Sequence, residues 1–531
     1  MLLANSDTSI TPYVGYKKVA AGVIVAWNKI QRDGIMPDMD KINITWSFDE
    51  CIDNQSVRML IDFIQDGVDV VMGPACSGAA IMGGMVAKWF DFPILLWGPT
   101  YDAQFSTTIH NTRQSSLLDS VDVRKQPRAL VAIAQKFGWQ DLALVYSSEI
   151  SALIPSCNTL VASMESIIDP LQDYNVVFKQ KFKDATIETI RETLRAGKQY
   201  SRVFMVCLES DHSRRNMLLA ISEEGMATDE YLFIYYENSR AGFKPIKGGK
   251  YIPIWSDGLG QNTDGRYNEA LAVARKILLF DHQPTNDTTA FLAEVATAFR
   301  DPPFNCNDCT DLDTSVSEVA ELHDALYAYA LARNRTLQDS PEMAFNMSGS
   351  ALSLHANGNF AGQSGLVRMN VNGSRDPIFF LYALGLSDLP IQYIRVESRS
   401  VDDTQDIFVL YQSESQLWSN RGGLRPANEP TCGFKADKCP PSFQEQYLAF
   451  VIAAVCVILV AVIGVIFIAC FIFRKKQREE AAQNKSWQIT FRTLVKPSHK
   501  VVAIQKLKDN LNSESVCQQT FTAEFCRTIC I

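Results

Sequence analysis

From Tyr447 to Phe473 the chain runs 27 residues without a charged side chain, and 58 residues follow. At ~1.5 Å of helical rise per residue, such a run crosses a hydrocarbon core of ~30 Å with length left for tilt. A buried helix of a large soluble protein is the alternative, but such helices rarely run so far without a polar break. Arg474, Lys475, Lys476 and Arg478 follow at once, and no comparable basic cluster precedes the run. The positive-inside rule then predicts a cell-membrane protein, single-pass type I, with the N-terminal side extracellular. One span divides the chain into an exterior of 446 residues and a tail, residues 474–531, in the cytoplasm.

Charge and cysteine usage fit that division. The tail carries 11 Lys and Arg against 5 Asp and Glu, and the rest of the chain 39 against 54. An acidic exterior excludes nucleic acid as a partner and docking on an anionic leaflet, whereas a basic tail gains ~1 kcal/mol per cation near the inner leaflet. Cys51, Cys76, Cys157, Cys207, Cys306, Cys309, Cys432 and Cys439 precede the span, the even number that a disulfide framework in an exported segment requires. Asn-x-Ser/Thr sequons at Asn43, Asn54, Asn286, Asn334, Asn346 and Asn372 predict a glycosylated exterior, while Asn484 falls on the cytoplasmic side and stays bare. Met1–Asp7 has neither the basic start nor the apolar core of a signal peptide, so the leader and the start of the first strand are expected to lie outside this sequence.

The exterior alternates strand and helix patterns. A first helix near Lys18–Ile30 places Val19, Val23, Trp27 and Ile30 on one face, a core stripe rather than a binding box. Strand Lys41–Phe48 precedes helix Gln55–Gln65; strand Val68–Met72 ends in Gly73-Pro74, and helix Ile81–Phe90 and strand Pro93–Trp97 follow. The cycle resumes with helix Pro127–Phe137, strand Leu142–Tyr146, helix Thr159–Ile168, strand Asn175–Lys179 and helix Thr186–Ala196. Strand Arg202–Leu208, helix Ser213–Glu224 and strand Tyr231–Tyr236 continue it, with helices at Tyr267–Phe280 and Val316–Arg333 and short strands from Gly365. Such alternation predicts parallel sheets covered by helices, and the length exceeds one domain, so two doubly wound lobes with a cleft between them are expected. Thr404–Gln446 reads as an irregular, Pro-containing stalk.

No catalytic constellation is visible. The six histidines form no His-Glu-x-x-His, and Gly-x-Ser-x-Gly and P-loop motifs are absent from the sequence. The pairs Glu223-Glu224 and Asp402-Asp403 read as solvated faces. Cys306-x-x-Cys309 leaves a disulfide, a redox pair and half a zinc site open, with no second Cys/His pair at finger spacing. Cys517, Cys526 and Cys530 read as free thiols rather than lipidation sites.

Several segments carry a resemblance. Gly15-Tyr16, Ala26-Trp27-Asn28-Lys29-Ile30, Gly34-Ile35-Met36-Pro37, Asp49-Glu50-Cys51, Gly73-Pro74-Ala75-Cys76 and Met369–Pro377 resemble the natriuretic-peptide-receptor type ligand-binding region. The whole pattern looks most like the nematode-type receptor guanylyl cyclases, and Ser486–Phe491 resembles the start of their kinase-homology region. The resemblance implies an α/β, type I periplasmic-binding-protein-like fold of two doubly wound lobes, plus one transmembrane helix. It implies domains at 1–403 (ligand-binding region), 404–446 (juxtamembrane stalk), 447–473 (transmembrane helix) and 474–531 (only the beginning of a kinase-homology region). It pairs Cys51 with Cys76, Cys157 with Cys207 and Cys432 with Cys439, leaving Cys306 and Cys309 to each other or to a partner chain. It also implies a chloride at Ser47, Ala75 and Cys76; the bland reading is a tight turn held by a disulfide, and the family turn usually has glycine where Ala75 stands.

The functional expectation is the sensory part of a receptor guanylyl cyclase signalling through cyclic GMP. Its partners would be an extracellular ligand, peptide or small molecule, and a second receptor chain in a homodimer or heterodimer. The chain as given would have no enzyme activity and no cofactor beyond that chloride. An incomplete copy of a full-length active cyclase is the alternative, and the exterior of a class C-type amino-acid receptor a lesser one.

Overall fold

The computed structural model describes residues 1–487 except 99, 101–115, 122–123, 148–155, 238–239, 241, 245, 248–249, 258–261, 286–287, 310–311, 313–315, 346, 372, 398–406, 436–437 and 440–442. It divides into a compact unit, Met1–Pro440, and a second unit, Pro441–Ile531. The first contains two lobes, each built on one sheet.

The second lobe is the more regular. Its eight-stranded sheet runs in the order Ile407–Leu410, Pro390–Glu397, Ile378–Leu384, Leu278–His282, Leu232–Tyr236, Val203–Cys207, Asp141–Ser147, Asn175–Phe182. The last five are mutually parallel; the first three are antiparallel to their neighbours. The reason is visible in Val203–Cys207, where every residue is buried. With a side-chain period of two, Val203, Met205 and Cys207 join the apolar cluster on one face while Phe204 and Val206 join that on the other. Helices Lys125–Phe137 and Ser156–Ile168 cover the first face, and Ile187–Gly197, Asp211–Glu223 and Tyr267–Ala274 the second.

Two expectations are corrected here. The helix expected over Tyr267–Phe280 stops at Ala274, and Leu278–His282 is a central strand. Its five buried residues fill the slot between Leu232–Tyr236 and Ile378–Leu384, so tertiary pairing overrides the local helical pattern. The stalk expected from Thr404 begins much later. Ile407–Leu410 extends the sheet, and Trp418 is buried with its ring centroid 5.6 Å from Phe137 and 6.1 Å from Trp139. Buried Arg421 donates to Tyr231 O at 2.8 Å, and Trp139 Nε1 donates to Pro426 O at 3.0 Å. Asn428 Oδ1 accepts from the backbone of Gln140 and Asp141. Residues through Asn428 thus belong to the second lobe.

The first lobe has shorter strands. Its sheet runs Gly358–Gly362, Gly365–Met369, Ser374–Arg375, Ser116–Val121, Ile94–Leu96, Val71–Met72, and Leu2–Leu3 pairs separately with Ser47–Phe48. Its core gathers distant sequence: Val19, Val23, Ala26 and Ile30 pack in one cluster with Phe291, Val295 and Phe299 of helix Thr288–Arg300 and with Val319, Leu322 and Leu326 of helix Val316–Asp339. The chain passes between the lobes after Val121, after His282 and after Arg375, the three crossings of the expected two-lobed fold.

In the second unit Phe443–Trp487 is one continuous helix of 45 residues. Its stretch Gln446–Ser486 contains a helix long and apolar enough to cross a membrane.

Candidate functional site

In α/β lobes, ligands collect beyond the carboxyl ends of the strands, where loops and helix N-termini meet. In the second lobe those ends are marked by Glu209 and Glu237, just past their strands, and by Asp281-His282, the last two residues of Leu278–His282. Glu237 is buried and pairs with Arg214 of helix Asp211–Glu223, which also holds Asp211 at 2.9 Å. Burial drives the Glu237 carboxyl upward against the pull of Arg214. Glu209 accepts from Ser156 Oγ at 3.2 Å and from the Cys157 amide at 3.3 Å, which places a carboxylate on the first turn of helix Ser156–Ile168.

The first lobe presents Tyr13 and Glu318 to this wall. Burial and then the charge of Glu318 push the Tyr13 phenol up to about 12, while Arg214 across the cleft pulls it back and Glu209 and Asp211 add to the rise. A first-lobe phenol therefore stands within the field of a second-lobe cation. Half-buried Glu318 is itself pushed up to about 8, by burial first and by neighbouring Glu321 second. Nearby, Arg240 leaves the second lobe and ties down the first: its guanidinium donates to Ser317 Oγ at 2.9 Å, Glu321 Oε1 at 2.7 Å and Ser364 O at 3.1 Å. At the crossing itself Gln126 Nε2 donates to Glu237 O at 2.8 Å, and Gln126 Oε1 accepts from Tyr236 Oη at 2.5 Å and faces His282 Nε2 at 3.0 Å. Burial holds His282 well below its usual range, so this peg is neutral. Lys125, also buried, donates to Arg375 O and Asp376 where the chain crosses for the last time.

The wall is thus rich in carboxylates, with Arg214 and Arg240 fixed among them by ion pairs. Sequence reading missed Tyr13, Arg214, Glu237, Arg240 and Glu318. A charged residue ending an apolar strand, as in Leu232–Tyr236 followed by Glu237, is the signal that marks part of the set.

The residues singled out from sequence lie elsewhere. Four disulfides join Cys51–Cys76, Cys157–Cys207, Cys306–Cys309 and Cys432–Cys439. Gly73 takes a φ of 106° at the turn, where a Cβ would stand 3.0 Å from Leu2 O, so the glycine is required. Ala75 and Cys76 are buried beside it, but among the described residues no hydrogen bond joins Ser47 to either. The following helix, Ser77–Phe90, already faces an anion: a Cβ on Gly78 would meet Asp53 Oδ1 at 2.8 Å. Asn43 and Asn54 are exposed. Asn334 is half-buried within helix Val316–Asp339, and Thr336 of its sequon is buried and bonded to Ala332 O. Asn286, Asn346 and Asn372, and the tail residues Cys517, Cys526 and Cys530, lie outside the described residues. Glu224, expected on a solvated face, is instead paired with Arg191 at 3.0 Å and Arg195 at 2.7 Å, which draw its side chain out of water.

Two lobes joined by three crossings, with a charged wall at the strand ends of one, define a two-lobed α/β class of fold. The particular family follows from comparison: residues 18–386 match the receptor family ligand binding region, and the chain belongs to that family. It is 28% identical to the receptor-type guanylate cyclase gcy-20 of Caenorhabditis elegans over 92% of this chain and 45% of that protein. It is 27% identical to the receptor-type guanylate cyclase gcy-7 of the same organism, covering 96% and 46%. The chain therefore spans less than half the length of these relatives. Among solved structures, a solute binding protein of an ABC transporter from Rhodopseudomonas palustris BisB5, in complex with 3,4-dihydroxy benzoic acid, aligns at 13% identity and TM-score 0.48, covering 76% of this chain and 97% of that one.

Proposed function

We propose that this chain is the sensory part of a receptor guanylyl cyclase: an extracellular ligand engages the two-lobed region, and the single helix carries the change toward cyclic GMP synthesis. The observation that supports it most is the ligand-binding-region match over residues 18–386 in a chain whose described residues also hold one membrane-length helix. The ligand acts by its unequal affinity for two lobe arrangements, which Arg240 would report because its bonds to Ser317 and Glu321 join the lobes. The exterior side is N-terminal, and the working unit is a homodimer or a heterodimer with a related receptor. Chloride at the Gly73-Pro74-Ala75-Cys76 turn is a smaller part of the proposal; thermal unfolding at saturating chloride against a matched anion tests it, and an absent shift removes it.

Coexpression with a full-length related receptor cyclase tests the main reading. Incorporation into mixed dimers should lower the partner's cyclic GMP output; unchanged output at equal surface expression overturns it. The second reading, a stretch of a longer and active cyclase, rests on the share of its relatives that the chain spans. Transcript sequencing past the Ile531 codon decides it: continuation into kinase-like and cyclase domains favours the enzyme.

A further inference from the structure

The Cys306–Cys309 pair is left unused by the receptor reading. A cross-link restricts the unfolded chain more when it closes a longer loop. Cys51–Cys76 and Cys157–Cys207 close separations of 25 and 50 residues, and all four cysteines are at most 3% exposed. Cys306–Cys309 closes a separation of 3, so it contributes least as a staple. It is also asymmetric: Cys306 is half-buried while Cys309 is 2% exposed. Polar groups surround the accessible sulfur, with Asp308 Oδ1 3.1 Å from Cys306 Sγ and Lys17 Nζ 2.5 Å from Asp308 Oδ2. One reachable sulfur and one sheltered sulfur, two residues between them, let a thiolate attack the outer sulfur while the inner one leaves, and Lys17 offsets the Asp308 carboxylate that would otherwise repel the attack.

Its position gives exchange a consequence. Phe304, just before the pair, stacks among Tyr16, Trp46 and Phe299, and Cys309 and Leu312 are packed in the first-lobe core. A short link then leads to helix Val316–Asp339, whose first turns hold Ser317, Glu318 and Glu321 against the cleft. Ser317 and Glu321 are the residues that Arg240 grips from the other lobe. Cys309 is therefore the last disulfide-held point before the interlobe contact.

We propose that Cys306–Cys309 is an exchangeable disulfide, reduced by an extracellular dithiol of the thioredoxin type, and that its state sets how firmly the start of helix Val316–Asp339 is held against Arg240. In the step, one thiolate of the dithiol attacks Cys306 Sγ, the S–S bond breaks, and Cys309 leaves as a thiolate and takes a proton. The second thiol of the reductant then attacks the mixed disulfide and releases Cys306 as a thiol. The receptor's disulfide is reduced to two thiols and the dithiol is oxidised to a disulfide. This goes beyond the receptor reading, and its test needs no ligand.

The full chain carrying Cys432→Ser and Cys439→Ser is displayed on intact cells and its free thiols are blocked. It is then treated with thioredoxin and its reducing system, followed by a membrane-impermeant maleimide. Per-residue mass spectrometry should find Cys306 and Cys309 labelled at least about tenfold more than Cys51, Cys76, Cys157 and Cys207. Equal labelling, or none, overturns the exchange site. Hydrogen exchange on the purified chain should then quicken at least about threefold over residues 316–321 on reduction, recover on reoxidation and stay unchanged over 77–90. Unchanged exchange at 316–321 overturns the coupling. A Cys306→Ser/Cys309→Ser variant should show the reduced pattern without reductant; should it not fold, the reduction experiment on the native pair still decides.

Discussion

The two lobes reach the same architecture by opposite routes. The second lobe is assembled mostly from consecutive strand–helix units: from Asp141 to Tyr236 each strand pairs with a near neighbour in sequence, and only at Leu278–His282 does the sheet take a distant partner, Ile378–Leu384. The first lobe borrows: its core packs residues 19–30 against residues 291–299 and 319–326, and its sheet takes three strands from 358–375. Local pattern therefore builds most of one lobe and long-range closure most of the other. A disulfide sits early in each, and the last segment of each reaches back to seal it.

The largest effect that separates the lobes should come from the seal on the second. Trp418→Ala removes a buried indole packed on Phe137 and Trp139 and should cost about 4 kcal/mol, read from denaturant unfolding. A loss below about 1 kcal/mol would return residues after 404 to the stalk. Next come the staples. Replacing both Cys157 and Cys207 by serine should cost about 4 kcal/mol, slightly more than replacing Cys51 and Cys76, because the loop is twice as long. The reverse order would show that chain entropy does not govern these pairs.

Arg240→Ala cuts the tie between lobes and strands Glu321, for a loss of about 3 kcal/mol. Calorimetry should then resolve two transitions in the variant and a more closely coupled unfolding in the native protein; one unchanged transition would assign the coupling to the crossings alone. Glu318→Gln acts through pH. The folded value of about 8 lies above the ordinary 4.5, so the folded protein holds a proton that the unfolded chain releases. Stability falls as pH rises between those values, and the glutamine variant should flatten that slope; an identical slope would place the titration elsewhere. The smallest effect belongs to Trp89→Ala in the first lobe. This ring is 82% exposed, and the change should stay within about 0.5 kcal/mol.

The contrast also explains what could be read from sequence. Strands such as Val203–Cys207 and helices such as Asp211–Glu223 follow from periodicity because their burial is decided locally. Leu278–His282 was hidden because its apolar run continues a helical pattern and only its neighbours in the sheet choose strand. The seal at Trp418 was hidden for a related reason: Pro and Gly around it suggest irregular chain, and irregular chain still docks when an indole and Arg421 have somewhere to go. The cleft was the least legible part. Arg240 is brought against Ser317 and Glu321 by the fold, across separations of 77 and 81 residues, and none of the three belongs to a motif.

The helix Phe443–Trp487 is uninterrupted, and that continuity fixes a phase. Each residue turns an α-helix by about 100°, so the two ends keep a set angular offset as long as no turn is broken. Inserting one alanine after Phe473 would swing everything beyond it by about 100° and lengthen the rod by only about 1.5 Å. Seven would restore the facing to within about 20° while adding two turns of length. A signal carried as torque should follow that cycle, and one carried as a piston stroke should ignore it.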